Sequence, residues 1–117
     1  MSPGQPARLL RIHIGESDRY RGQPLYEAIV NKCREMKIAG ATVFRGLEGY
    51  GETAEMHKYR LTRHDQPILI SIIDIAENLA RLTPVVEEMM DTGLIAISEV
   101  QVVRVQKKAF DPDEKGG

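Results

Sequence analysis

Two short segments of this 117-residue chain carry residue types that bind anions or transfer protons. Residues 15–22 include Glu16 and Asp18, a close pair of carboxylates, together with two arginines that could pair with an anion. Residues 49–51 are Gly-Tyr-Gly, which lets backbone N–H groups approach a phosphate or carboxylate closely. Both segments are equally compatible with ordinary turns. No serine, histidine and acid arrangement accompanies them, so we predict no catalytic residue and no enzyme activity.

The remaining residues with reactive or metal-binding side chains give no site. His13, His57 and His64 stand at no metal-ligand spacing, so we predict no metal site. Cys33 is the only cysteine and lies on the apolar side of a predicted helix, which is typical of a buried small side chain. A chain that cannot form an internal disulfide fits the reducing cytoplasm, where we expect this protein.

Charge and hydropathy exclude two classes of partner. Lysine and arginine number 16 and aspartate and glutamate 17, so no net field attracts the chain to nucleic acid. The first and third predicted strands also lack the aromatic residues on which RNA-recognition domains stack bases. No apolar run approaches the roughly 20 residues that span a bilayer, and the N-terminus resembles no signal peptide. We therefore expect no nucleic-acid partner and no membrane insertion.

The elements that must position these segments follow from side-chain periodicity. Alternating apolar residues predict a first strand over 9–14, and an apolar stripe predicts a first helix from Pro24 to about Lys37, stopped by Gly40. The second strand follows over 41–44. The third, over 67–73, is so apolar that we expect it to be central and covered on both faces.

The last part of the chain predicts a second helix and a fourth strand. Asp74 and Glu77 form a capping-box-like pair at the start of this helix, which Pro84 should kink or split and which ends before Gly93. The fourth strand is predicted over 94–105, with a break or bulge at residues 98 and 99.

The order β-α-β-β-α-β predicts an α+β, ferredoxin-like fold, a four-stranded antiparallel sheet with two helices on one face. We expect one domain over residues 8–106, with flexible tails at 1–7 and 107–117. One helical layer cannot cover both faces of an apolar sheet, so we expect oligomers. The connection between the second and third strands, Gly49 to Gln66, exceeds the usual loop length, and we expect it to carry function.

Several of these motifs together resemble a known superfamily. Residues 40–43, the glycine-rich stretch 46–51, the long polar loop, Asp74 and Thr92-Gly93 are similar to those of PII signal-transduction proteins. Residues 14–18 (Ile-Gly-Glu-Ser-Asp) and 22–27 (Gly-x-Pro-Leu-Tyr-Glu) resemble more closely a PII-like family, domain of unknown function number 190. The resemblance covers residues 8–105.

The resemblance implies a homotrimeric signalling or regulatory protein with a small ligand in the cleft between subunits. The ligand it implies is an adenine nucleotide, AMP, ADP or ATP, and no obligatory cofactor. It implies a transporter or enzyme partner that contacts the long loop. The ligand-binding residues it suggests are Arg45, Gly49, Tyr50, Gly51 and Arg104. The partner-contact residues it suggests are Glu52, His57, Lys58, Tyr59 and Arg60.

Two positions and one stretch depart from the PII pattern. Thr53 stands where a glutamine is expected, residues 93–98 lack the usual lysines, and Gln106 replaces a second arginine after Arg104. These departures favour adenine-nucleotide or small-anion binding over the usual PII mode of binding ATP. Two alternatives share the fold: a metal-handling trimer like the CutA proteins, and a small hydrolase like the acylphosphatases that would use Glu16 or Asp18.

Overall fold

A computed structural model describes residues 4–47 and 66–107 of the chain. In this part of the chain two helices and six strands follow in the order β1, β2, β3, α1, β4, β5, α2, β6. Their bounds are β1 Gln5–Gly15, β2 Arg19–Tyr20, β3 Gln23–Pro24, α1 Leu25–Glu35, β4 Ala41–Arg45, β5 Pro67–Asp74, α2 Ala76–Met89 and β6 Leu94–Val102. Strands β2 and β3 form a separate hairpin.

The main sheet has four antiparallel strands in the order β4-β5-β1-β6. Two crossover helices, α1 and α2, connect its strands, which confirms the predicted ferredoxin-like arrangement. The core lies between the sheet and the helices. Its fully buried side chains are Leu10, Ile12, Ile14, Leu25, Ile29, Ile68, Ile70, Ile72, Leu79, Leu82 and Val86. Each contributes roughly 1.5–3 kcal/mol relative to an exposed position.

The side of the sheet that faces away from the core, here called the outer face, is not covered by any described element. Two apolar rows cross it, on either side of a polar row of Arg11, Ser71 and Thr42, as the strand pairing shows. The outer face comprises Leu9, Arg11, His13, Thr42, Phe44, Leu69, Ser71, Ile73, Leu94, Ala96, Ser98 and Val100. Strand β5 is central, as predicted, but Ile73 is 45% exposed, so the expectation that this strand is covered on both faces was wrong for the single chain.

The sheet reaches further toward the N-terminus than its composition suggested. Gln5 to Ala7, which we expected in a tail, pair with residues 100–102 of β6. Strand β5 ends opposite Arg8, so residues 5–7 have only one neighbouring strand, where proline is tolerated. The pairing with β6 is continuous from Val102 to Leu94, so the expected bulge at residues 98 and 99 is absent there.

Helix α1 ends earlier than predicted, and a capping motif ends it instead of the predicted glycine. The N–H of Ile38 donates to Cys33 O at 2.9 Å and that of Lys37 to Arg34 O at 3.1 Å, the bond pair of a Schellman motif. Lys37 has the left-handed conformation this motif requires, with φ at 59°. Burial of Ile38 directly after the turn stabilises this conformation, although it is unfavourable for a residue other than glycine. Gly40 therefore lies outside the helix end.

We expect Lys37→Gly to stabilise the protein by about 0.5–1 kcal/mol, because glycine adopts the left-handed conformation without a Cβ clash. Urea unfolding at fixed protein concentration measures the change. Lys32→Gly, inside α1, is the control and should destabilise by about 1 kcal/mol. Equal destabilisation by both substitutions would show that the conformation of Lys37 is not strained.

Asp74 connects two segments instead of capping α2. The N-cap of α2 is Ile75, with no side-chain cap hydrogen bond, so the predicted capping box was wrong. Asp74 Oδ2 accepts the Ala39 N–H at 2.9 Å, while Oδ1 accepts the Ile75 N–H at 2.7 Å and the Asn78 amide at 3.0 Å. Partial burial alone would raise the pKa of Asp74, but these three donors, together with the Arg81 charge, lower it below its ordinary value.

This lowered pKa predicts an acid-sensitive contribution to stability. Ionised Asp74 stabilises the fold above its unfolded pKa of about 3.9, and this contribution is lost as the pH falls through the lower folded value. We expect Asp74→Asn to cost about 1 kcal/mol at neutral pH and the difference from wild type to shrink near pH 3. Urea midpoints measured from pH 3 to 7 provide the comparison. The exposed Glu88→Gln on α2 is the control, and a gap that stays constant with pH would contradict the role of the charge.

Helix α2 is continuous through Pro84, so of the predicted kink or split, the split does not occur. Pro84 is exposed. The preceding residue, Thr83, donates its hydroxyl to Leu79 O at 2.7 Å. Burial of the helix stripe on both sides of the proline, at Leu82 and Val86, outweighs the missing hydrogen bond.

Candidate ligand site at one end of the sheet

The turn after β1 is held rigidly by its own aspartate. The Gly15 N–H donates to Asp18 Oδ2 at 2.9 Å, and Asp18 O accepts the Leu25 N–H at 2.8 Å. The Asp18 side chain is buried, so this carboxylate positions the chain between β1 and α1. Its geometry favours a structural role over the acid–base role considered from the sequence.

The two arginines of the predicted anion-binding stretch lie on the β2–β3 hairpin. Arg21 and Gly22 occupy its tip with positive φ values of 49° and 82°, the conformation of a type I′ turn. The Arg21 guanidinium lies 5.1 Å from the centre of the Tyr20 ring in a cation–π contact. Arg19 is exposed. The stretch 15–22 is therefore a structural turn followed by a basic hairpin.

Beside this turn, five residues form a cluster that we call the loop-base junction: Glu16, Arg45, Gly46, Gln66 and Pro67. Arg45 Nη2 and Glu16 Oε2 form an ion pair at 2.8 Å. The Glu16 N–H donates to Gln66 O at 2.8 Å, and the Gly46 N–H donates to Pro67 O at 2.8 Å. Glu16 thus contacts the residues on both sides of the long connection, one through its side chain and one through its backbone.

A concavity of about 360 Å³ lies near the same end of the sheet. It is lined by Glu87, Met90, Asp91, Thr92, Gly93 and Ile95. Its lining includes two carboxylates and no lysine or arginine. Arg45, Ile68 and Ile14 lie in register across the sheet, and Gly93 adjoins Ile14, so the concavity and Arg45 are separated by roughly three strand spacings, about 14 Å. The sequence marked residues 93–98 only as lacking lysine and did not reveal the concavity, whose lining comes from the end of α2, residues 90–93 and β6.

The structure places two of the predicted ligand-binding residues far apart. Arg45 belongs to the loop-base junction, next to the end of β1. Arg104 follows the end of β6, where Val102 pairs with Gln5 at the start of β1. The length of β1 between these points is roughly 30 Å. Arg45 and Arg104 can therefore share a site only if they come from different subunits. The other predicted residues, Gly49, Tyr50, Gly51, Glu52, His57, Lys58, Tyr59 and Arg60, lie outside the described part of the chain.

Metal-binding residues do not cluster within residues 4–47 and 66–107: no group of three His, Cys, Asp or Glu side chains there could hold an ion. His13 lies on the outer face, paired with Leu69 and Leu94, while His57 and His64 fall outside the described residues. Burial raises the pKa of the Cys33 thiol to about 11, as expected for a core residue. Neither of the two described helices is long and apolar enough to cross a membrane.

Sequence comparison matches residues 7–102 to the profile of the DUF190 family, described as "Uncharacterized ACR, COG1993". Two relatives are UPF0166 proteins. A UPF0166 protein of Aquifex aeolicus is 35% identical over 98 residues, which cover 82% of this chain and 92% of the relative. A UPF0166 protein of Methanocaldococcus jannaschii is 35% identical over 101 residues, which cover 84% and 93%.

Solved structures with the same fold include two PII-like proteins. CPII of Thiomonas intermedia, bound to ADP, AMP and acetate, has a TM-score of 0.61 at 19% identity, covering 89% of this chain and 94% of its own. A putative PII-like signaling protein of Thermus thermophilus has a TM-score of 0.63 at 19% identity, covering 88% and 94%. The divalent ion tolerance protein CutA1 of Ehrlichia chaffeensis has a TM-score of 0.56 at 13% identity, covering 91% and 89%. These likenesses show a PII-like ferredoxin-like fold.

Proposed function

This chain belongs to the DUF190 family, and on that premise we propose that it is a PII-like regulatory protein of the cytoplasm that acts by binding and not by catalysis. Three chains assemble into a homotrimer that binds a small anionic ligand, an adenine nucleotide such as AMP, ADP or ATP, between subunits. A transporter or enzyme partner contacts the connection over residues 49–66. The observation that carries the proposal is the loop-base junction, which joins this connection to the turn after β1 beside an accessible arginine.

The outer face supports the assembly. Phe44, Ile73 and Leu94 are 52%, 45% and 43% exposed in the single chain, and they lie in the two apolar rows on either side of Arg11. An assembly that covers apolar surface of this kind is stabilised by its burial. A further copy of the same chain presents the same pair of rows, and a closed ring of copies covers every outer face at once. The proposed trimer thus places the sheets inward and the helices outward.

A trimer would also explain how Arg104 takes part in binding. This residue is exposed after β6 and lies at the opposite end of the sheet from Arg45. In a ring of subunits, the end of one sheet can approach the other end of the next. The proposed ligand then lies between Arg45 of one subunit and the Arg104 region of its neighbour, with Gly49, Tyr50 and Gly51 supplying backbone donors.

The charges of the site favour a ligand with one anionic end. Arg45 is half-exposed and lies at the loop-base junction, whereas the nearby concavity carries the carboxylates of Glu87 and Asp91. Carboxylates repel phosphate but accept hydrogen bonds from hydroxyl and amino groups. A nucleotide fits this pattern if its phosphate approaches Arg45 and its ribose or base lies toward the concavity. CPII, which shares the fold, binds ADP and AMP.

Calorimetric titration of the full chain tests the proposal. We expect binding of at least one of AMP, ADP and ATP, and a mass near that of three 13.1 kDa chains by light scattering. Cyclic dinucleotides, copper and zinc are separate arms of the titration. Heat with copper or zinc and none with any nucleotide would favour the CutA-like alternative, and the absence of heat with every nucleotide would reject the proposed ligand class.

A further inference from the structure

We propose that the Arg45 guanidinium receives the anionic group of the ligand and that the Glu16 carboxylate occupies it in the ligand-free chain as an internal competitor. This inference rests on the proposed function, because it requires an anionic ligand to reach the loop-base junction. The recognised group is an oxyanion, a phosphate or a carboxylate, whose two oxygens match the fork of guanidinium N–H donors. Glu16 presents this same chemistry to Arg45 from within the chain.

The geometry of the ion pair permits an exchange of partners. The distance of 2.8 Å between Arg45 Nη2 and Glu16 Oε2 is that of a charge-assisted hydrogen bond, the same bond a phosphate oxygen would make. The Arg45 side chain is 50% exposed and that of Glu16 29%, so a ligand can approach from solvent. Exposed ion pairs of this kind contribute little to stability, and displaced Glu16 would become hydrated. The exchange therefore costs little.

The backbone of Glu16 limits the movement to its side chain. Its N–H is bonded to Gln66 O, and the preceding residue, Gly15, is bonded to the buried Asp18 carboxylate. In the ligand-free chain the turn is thus connected to β4 through Arg45 and to β5 through Gln66. When an oxyanion takes the place of Glu16, the connection to β5 remains and that to β4 is lost. The ligand thereby releases the turn after β1 from the end of β4 and leaves it bonded to Gln66, the residue before β5.

A purely structural ion pair predicts a different response to substitution. If Glu16 only stabilises the turn, Glu16→Gln leaves ligand affinity unchanged. If Glu16 competes with the ligand, the same substitution removes both the competitor and a nearby negative charge. We expect AMP to bind about fivefold more tightly to this variant, equivalent to about 1 kcal/mol. Arg45→Gln should weaken AMP binding at least about tenfold, because it removes the charged donor.

The experiment is calorimetric titration of the full-length wild type, Glu16→Gln, Arg45→Gln and Glu35→Gln with AMP, adenosine, inorganic phosphate and acetate. Glu35→Gln is the matched control, because it also removes one carboxylate from an exposed ion pair, that with Lys32 at 3.5 Å on α1. Circular dichroism establishes that each variant is folded. We expect the two site substitutions to change AMP affinity in opposite directions and to leave adenosine affinity and the Glu35→Gln control as in wild type. The phosphate and acetate arms distinguish which oxyanion Arg45 prefers.

Three results would overturn the inference, and they bear differently on the proposed function. AMP binding that Glu16→Gln leaves unchanged would overturn the competitor role and leave nucleotide binding intact. Equal tightening by Glu16→Gln and Glu35→Gln would assign the effect to net charge alone. No binding of AMP, phosphate or acetate by any of the four proteins would overturn this inference, and rejection of the proposed function would further require that ADP and ATP also fail to bind.

Discussion

Replacing Gly93 by alanine is expected to destabilise the protein by about 3–5 kcal/mol, a large part of the total stability of a domain this size. Gly93 has a φ of +143°, a conformation that L side chains rarely adopt. A Cβ here would lie 2.7 Å from His13 O and 2.5 Å from Met90 Cε. The methionine can move, but the carbonyl belongs to central strand β1. Backbone strain and overpacking each contribute about 1–3 kcal/mol.

Two other glycines separate these contributions. Gly22 has a φ of +82° and nothing within 4 Å of a built Cβ, so Gly22→Ala should show the backbone cost alone, about 1–2 kcal/mol. Gly40 has neither a positive φ nor a close neighbour, so Gly40→Ala should change stability by less than about 0.5 kcal/mol. Urea unfolding of the three variants measures the series. If Gly93→Ala destabilised the protein no more than Gly22→Ala, the backbone of β1 would have to move at His13.

The second large effect is expected at the outer face, where Ile73→Glu should convert the proposed trimer into monomers. Ile73 lies on central strand β5, opposite Leu9, and is 45% exposed in the single chain. In the proposed trimer this position would be covered, and an unpaired carboxylate there would cost several kcal/mol in each subunit. Light scattering should show the mass falling from about three chains to one chain of 13.1 kDa, with helical content retained.

Ile97→Glu is the matched control for this substitution. Ile97 is the same residue type with nearly the same exposure, 49%, but it pairs with Leu10 and so lies on the helix side of the sheet. We expect this variant to keep the mass of wild type. Dissociation by both variants would mean that the helix side also takes part in the assembly, and dissociation by neither would contradict the sheet-inward trimer.

The strands and helices themselves were largely predictable because each imposes its own side-chain period. Leu10, Ile12 and Ile14 alternate along β1 and are all buried, and the stripe that includes Leu25 and Ile29 on α1 is buried as predicted. The ends of the elements were less predictable. Lys37 ends α1 in a conformation usually given to glycine, since Ile38 is buried next to it. Such burial depends on the sheet, which no local pattern describes.

The candidate site, too, could be predicted only in part from the sequence. Its arginine, Arg45, was among the ligand-binding residues that the resemblance suggested. Its partner Glu16 was considered only for acid–base chemistry, and the ion pair joins the turn after β1 to the end of β4, two segments that are far apart along the chain. The expected association of Arg45 with Arg104 within one cleft depends on strand register, which places the two residues at opposite ends of β1.

The long connection after β4 was the feature that pointed first to function, and its length, polarity and glycines are properties of the sequence alone. By itself the sequence determined the order of the main-sheet strands and the two helices and the residues that can face a core, because these follow from composition and period. The family was identified from the sequence by the resemblance of its motifs. Only the tertiary structure decided that Glu16 contacts the residues at both ends of this connection and that Arg104 lies at the opposite end of the sheet from Arg45. Distances across a sheet depend on register and strand order, and these arise only when distant segments pack together.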